Sequence, residues 1–266
     1  MDRDVKSFNV RLRTIRIREL IIGMIIAVIL ANIISVVFPP VYYDDNLFFI
    51  VLMSIGMILF AIALYGTAGI RDDFRGLLKP EIGKELSYVL VLNVFFSLLL
   101  PCILSNIDFI ISVTDPNWIS LWTIDETAPV EILIFDVLAT IIFAPITEEL
   151  IFRGVLFNRL KIRTGIVPAI LVSSLLFGLG HEFGGIISAF LFGICMCILY
   201  IKTDNILITI AAHFLNNMLF VLLEVFNITF YLQMPFLPVT TVLAAISAIL
   251  LLLYIVKEVI AVKNEY

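Results

Sequence analysis

Charge is scarce in this 266-residue sequence: Asp, Glu, Lys and Arg make up 15% of it, against about 25% in soluble proteins. So small a polar supply cannot cover a water-exposed surface, which excludes a soluble globule. Bases are outnumbered by acids, 17 to 22, and the pI is near 5.1, so there is no general basic footprint for nucleic acid. Cysteine is nearly absent. Cys102, Cys195 and Cys197 lie in apolar runs, are odd in number, and include a pair with one intervening residue rather than two. That excludes a disulfide framework and a redox or zinc hairpin. Histidine is scarcer still, with two residues in the whole chain. Repeats, low-complexity tracts and a composition break are also missing, so residues 1–266 read as a single membrane domain.

Apolar residues dominate instead, at 62% with a mean hydropathy of +1.13. Crossing a hydrocarbon core takes about 20 of them. Eight stretches qualify, some a little short, near 20–38, 47–69, 86–107, 130–158, 166–181, 184–201, 205–227 and 237–262. The first is too long for a signal-peptide core and no A-x-A site follows it, so it reads as an uncleaved span. Continuous apolar runs without alternation exclude a barrel. The expected fold is all-α, a polytopic membrane helix bundle of about eight transmembrane helices in the cell membrane.

The bases also fix an expected orientation. Arg3, Lys6, Arg11, Arg13, Arg16 and Arg18 precede the first span; Arg71, Arg75, Lys79 and Lys84 lie between the second and third. Arg153, Arg159, Lys161 and Arg163 crowd the end of the fourth, Lys202 follows the sixth, and Lys257 and Lys263 end the chain. In an eight-span arrangement all fall on one side, whereas the loops 39–46, 108–129, 182–183 and 228–236 carry none. The positive-inside rule makes that side, and both termini, cytoplasmic. The basic segments 71–84 and 159–163 suit contact with anionic headgroups of the bilayer.

Within the spans, the informative residues are those that cost most to bury, about 2.5–3.5 kcal/mol for each charge near a helix centre. They cluster in the C-terminal half. The run Pro145-Ile-Thr-Glu-Glu-Leu-Ile-Phe-Arg-Gly154 holds Glu148, Glu149 and Arg153. Glu149 and Arg153 share a helical face at the favourable acid-first spacing of an ion pair. Glu148 lies about 100° around the helix and has no partner within its own turn. His181 closes the fifth span in Phe177-Gly-Leu-Gly-His181, and His213 shares a face with Asn217 in the seventh. These groups could form one polar chamber. A glutamate in low-dielectric surroundings can take a proton from water, and an imidazole can hold that water. His213 and Asn217 could donate to a tetrahedral oxyanion. Hydrolysis of a peptide bond follows as the expected chemistry, with no Ser or Cys nucleophile. Ser173 and Ser174 lack a nucleophile-elbow context.

At these residues the sequence resembles the CAAX protease and bacteriocin-processing family, also called the Abi family, of intramembrane endopeptidases. The likeness rests on Glu148-Glu149…Arg153, Phe177…His181 and His213…Asn217, in that order, and covers about 130–220, the expected catalytic core. The resemblance implies catalytic-site roles for all six polar residues. Glu148 and His181 would activate the water, His213 and Asn217 would form the oxyanion site, and Glu149 and Arg153 would align helices and substrate backbone. It also implies a cytosol-facing cavity and a membrane-associated peptide or protein tail as substrate, with lipidation left open. Archaeal and eukaryotic relatives trim prenylated proteins, whereas many bacterial ones are linked to peptide maturation, bacteriocin self-immunity or regulation of surface signalling.

No cofactor is called for. Two His and a Glu also match a hydrolytic zinc set, but there is no His-Glu-x-x-His helix: Gly185 stands where the second imidazole would be needed after His181-Glu182. A non-proteolytic scaffold that regulates sensor kinases or cell-envelope enzymes is the alternative reading. A transporter would call for a polar counterpart in the N-terminal half, which is lacking. Gly178, Gly180, Gly184 and Gly185 predict a bent or shortened hairpin at His181, because a straight fifth span would carry it away from Glu148.

Overall fold

The computed structural model describes residues 7–77, 79–115, 117, 134–182, 185–226, 228 and 237–265. The start of the fourth expected span at 130–133, Gly184, and most of the loops expected at 108–129 and 228–236 lie outside them. The described residues form helices α1 (Phe8–Thr14), α2 (Ile17–Val37), α3 (Pro39–Tyr43), α4 (Asp45–Ala63), α5 (Ile70–Gly76) and α6 (Pro80–Thr114). A broken rod follows: α7 (Ile134–Leu138), the π-helical segment π1 (Ala139–Phe143), α8 (Ala144–Glu149), the π-helical segment π2 (Leu150–Phe157) and α9 (Asn158–Thr164). Helices α10 (Ile166–Leu179), α11 (Ile186–Thr203), α12 (Ile206–Val225) and α13 (Leu237–Glu265) complete the bundle. The protein is thus an all-α, multi-pass membrane protein.

Six helices, α2, α4, α6, α11, α12 and α13, are long and apolar enough to cross a membrane. The eight-span expectation exceeds these by the broken rod and by α10, an apolar helix of 14 residues. Local signals set several ends. The Asp44 carboxylate accepts from the Leu47 N–H at 2.9 Å and the Asn205 side chain from the Leu207 N–H at 2.9 Å, capping α4 and α12. Gly165 at φ 84°, a conformation that favours glycine, separates the rod from α10.

Helix α11 is the hub, packed against α6, α10, α12, α13 and the rod. Its approach to α10 depends on small residues: a Cβ at Gly178 would lie 2.9 Å from the Ile186 carbonyl oxygen, and one at Gly193 would lie 3.0 Å from Ser174 Cβ. Such close backbones are how helices associate in lipid, where burial of apolar surface supplies no drive. At one end of the bundle Lys202 bonds Glu85 at 2.7 Å and Glu258 at 3.0 Å, and the Tyr254 hydroxyl donates to Glu85 at 2.7 Å, tying α6, α11 and α13. The same basic end holds α1, which seats a fully buried Leu12 against Gly154 of the rod. Arg13 pairs with Asp204, Asn9 donates to Asp73 at 3.0 Å, and Arg159 donates to the Ile15 carbonyl at 2.7 Å. Helices α2 and α4 pair on the outside, leaning on the rod.

Candidate active site

Pro145 explains the first break in the rod. Its ring would clash with the carbonyl four residues back and it has no N–H to give, so the chain widens into π1 just before it. The second widening, π2, begins immediately after Glu149 and contains Arg153. Single widened turns of this kind recur at functional sites. The Asn158 amide bonds two carbonyls at the end of π2, Arg153 at 2.8 Å and Gly154 at 3.0 Å. Acceptors that an ordinary helix would satisfy with backbone N–H are thereby occupied.

Glu149 and Arg153 have no exposed surface and are joined at 2.8 Å. Arg153 is held from two further directions, donating to the Gly193 carbonyl of α11 at 3.3 Å and lying 4.4 Å from the centre of the Phe177 ring. His213 of α12 meets Glu149 through Nδ1 at 3.0 Å. Because the carboxylate already accepts from Arg153, His213 Nδ1 is the donor, and Nε2 is turned toward Glu148 at 3.9 Å. Glu148 keeps 21% of its side chain exposed. The adjacent carboxylates therefore differ: one is clamped by a guanidinium and an imidazole, the other borders an accessible space.

Phe177 joins the rest. Its buried ring lies 4.8 Å from the His181 ring and 5.8 Å from the His213 ring, and Phe192 packs 5.1 Å from His213. Helix α10 stops at Leu179, so His181 falls in the turn beyond it, where its Nδ1 bonds the Phe177 carbonyl at 2.9 Å. His181 is exposed. Helix α10 is 14 residues long and ends two residues before His181, residues 183 and 184 of the turn lie outside the described ones, and both imidazoles border the same aromatic wall. Asn217 sits one turn beyond His213. Its Nδ2 donates to the Thr140 carbonyl of π1 at 2.9 Å, which leaves one amide hydrogen for other acceptors. Among the described residues, no three His, Cys, Asp or Glu side chains are grouped as a bound metal would need.

Four contributors escape sequence reading. The Gly193 acceptor is backbone and carries no side-chain signal. Phe192 reads as one aromatic among 22 Phe. Asn158 follows Gly154 at i,i+4, a weak hint of a side chain reaching back along the helix. Leu12 lies outside any span, and only the absence of a Cβ at Gly154 marks its place.

An acid–imidazole site within a helical membrane bundle is the class defined by this geometry. Residues 130–219 match the family described as type II CAAX prenyl endopeptidase Rce1-like. A relative from Bacillus subtilis (strain 168), named "Putative membrane peptidase YdiL", is 25% identical over 167 residues, covering 61% of this chain and 66% of the relative, just under two thirds of its length. No solved structure matches the chain. The family match covers the motif-bearing segment, and the two similarities support a protein of the CAAX protease and bacteriocin-processing family.

Proposed function

We propose that the protein is an intramembrane endopeptidase that hydrolyses a peptide bond in a membrane-associated peptide or protein tail. The observation that carries this reading is the asymmetry of the two glutamates. Glu149 is consumed by Arg153 and His213, whereas Glu148 is accessible and faces His213 Nε2 across 3.9 Å. That gap is too long for a direct hydrogen bond and suits a bridging water. In this reading Glu148 takes a proton from the water as its oxygen attacks the scissile carbonyl, then passes it to the leaving amine. Glu149 holds His213 in one tautomer and ring orientation. His181, fixed by the Phe177 carbonyl, borders the accessible side and helps to position the water.

The oxyanion assignment narrows on the same geometry. Neutral His213 spends its one N–H on Glu149, so it donates to an oxyanion only as an imidazolium. Asn217, with one amide hydrogen on Thr140, retains the other for that purpose. The basic end of the bundle, with Arg159 and Lys202, is the cytoplasmic side in this reading.

Comparative peptidomics of cells carrying wild type and Glu148→Gln tests it. The variant, expressed at the wild-type level, is expected to accumulate uncleaved forms of a defined set of membrane-associated polypeptides. Its turnover should fall by about 10²–10⁴, the usual contribution of a general base. Identical peptide sets, with the cellular phenotype fully retained by Glu148→Gln and His181→Ala, would leave the scaffold reading in its place.

A further inference from the structure

A cavity of about 560 Å³, lined by none of the acid–imidazole residues, lies between α2, α4 and the rod. Its volume falls within the range of small-molecule sites, roughly 300–1,000 Å³. Arg11, Arg16 and Glu19 line it at the basic end; farther along α2 and α4 the wall becomes apolar, with Gly23 opening space beside Leu59 of α4 and Gly56 beside Thr147 of the rod. From Arg16 to Val28, its lining on α2 spans about 18 Å at 1.5 Å per residue. One leaflet of a hydrocarbon core about 30 Å thick is nearly that deep. The cavity also touches Thr147 and Ile151 of the rod, and the buried Thr147 hydroxyl has no hydrogen-bond partner among the described residues.

The charge at its mouth favours an anion. Glu19 is engaged by the start of its own helix, accepting from the Arg16 N–H at 2.8 Å and lying 3.9 Å from Arg16 Nε. Arg11 spends Nε on the Ala63 carbonyl at 3.3 Å, which leaves its two terminal nitrogens as donors. Two guanidiniums against one carboxylate leave a net positive charge where a lipid headgroup would lie.

We propose that this cavity binds one anionic membrane phospholipid, with an acyl chain between α2 and α4 and the phosphate held by Arg11 and Arg16. A bound lipid would brace the rod through Thr147 and Ile151, beside Glu148 in the chain. No step of the proposed hydrolysis enters this inference, so the two stand or fall separately.

Native mass spectrometry of the full chain in uncharged detergent tests it, with phosphatidylglycerol, phosphatidylcholine of the same acyl chains, and inorganic phosphate as probes. One phosphatidylglycerol is expected to be retained in preference to phosphatidylcholine. Arg11→Gln with Arg16→Gln should weaken it by about 30-fold, as neutralising two basic groups near a lipid surface at about 1 kcal/mol each implies. Gly23→Leu should abolish retention, because a Cβ there meets only Leu59 Cδ1, at 3.9 Å, and the longer side chain can grow into the cavity without a backbone clash. Equal retention of both lipids, or undiminished binding in Gly23→Leu, would overturn the proposal. Displacement by inorganic phosphate alone would reduce the site to an anion contact, which also overturns it.

Discussion

Helices α4 and α11 are similarly apolar and oppositely placed. Their most apolar windows have hydropathies of 2.5 and 2.1, yet 6% of the first is buried inside the protein and 61% of the second. In water such sequences would compete for the same core. In lipid they do not, because an acyl chain is as good a neighbour for Phe or Ile as another helix is. What draws α11 inward is its small residues and its backbone. Gly193 and Cys197 meet Ser174 of α10, and the Gly193 carbonyl receives Arg153 of the rod. Membrane bundles of this kind are organised by close approach and polar satisfaction, with apolarity only fixing residence in the bilayer.

The largest effect expected from this contrast falls within the polar cluster. Glu149→Ala leaves Arg153 buried without its carboxylate and should cost about 3–5 kcal/mol of stability. Glu148→Gln, one residue away but partly exposed and outside the clamp, should stay within about 0.5 kcal/mol of wild type while losing turnover. Reversible unfolding in mixed micelles, followed by tryptophan fluorescence or circular dichroism, distinguishes them. Adding Arg153→Met to Glu149→Ala should recover much of the lost stability, since replacing a buried pair with apolar groups is often neutral. Equal losses for Glu148→Gln and Glu149→Ala would erase the division between a clamped and an available acid.

Next in size are the glycines. Gly193→Ala forces a Cβ to within 3.0 Å of Ser174 Cβ and 3.1 Å of its Cα, so α10 and α11 must separate, at about 1–3 kcal/mol. Gly23→Ala in α2 meets nothing closer than 3.9 Å and should be neutral or gain up to about 1 kcal/mol from helix propensity. Thermal unfolding midpoints of the two variants, measured in the same detergent, check the sign of each. A destabilised Gly23→Ala would mean that α2 and α4 are packed as tightly as the hub.

Much of this was legible in the sequence, and the reasons are physical. Charged residues are expensive in hydrocarbon, so Glu148, Glu149 and Arg153 mark a candidate site in the sequence itself. The two histidines and Asn217 stand out because polar groups in spans are few. The glycines around His181 mark where α10 ends. Less was visible where the deciding group is backbone or the geometry departs from an ideal helix. The π widening around Glu148 and Glu149 alters which carbonyls need partners, and the role of Asn158 becomes visible only then. The bond from Asn217 to Thr140 depends on the approach of α12 to π1, which i,i+4 spacing cannot reveal. Hydropathy likewise said nothing of which spans face lipid.

The smallest effect is the most direct check on the contrast between α2–α4 and α11. Ile29 of α2 is 53% exposed, and in a bilayer its neighbours on that side are acyl chains. Ile29→Ala removes apolar atoms that contact lipid in the folded state and in the helix-dissociated state alike, so stability should change by no more than about 0.5 kcal/mol. Ile198 of α11 is fully buried, and Ile198→Ala opens a void that the close-packed neighbours around it can fill only in part. Its loss should exceed that of Ile29→Ala in the same unfolding assay, although the two isoleucines are chemically identical and both lie in apolar spans. A comparable loss for Ile29→Ala would mean that its outer face is covered by protein, either a second copy of the chain or a partner, and that α2 belongs to an interface instead of the lipid boundary.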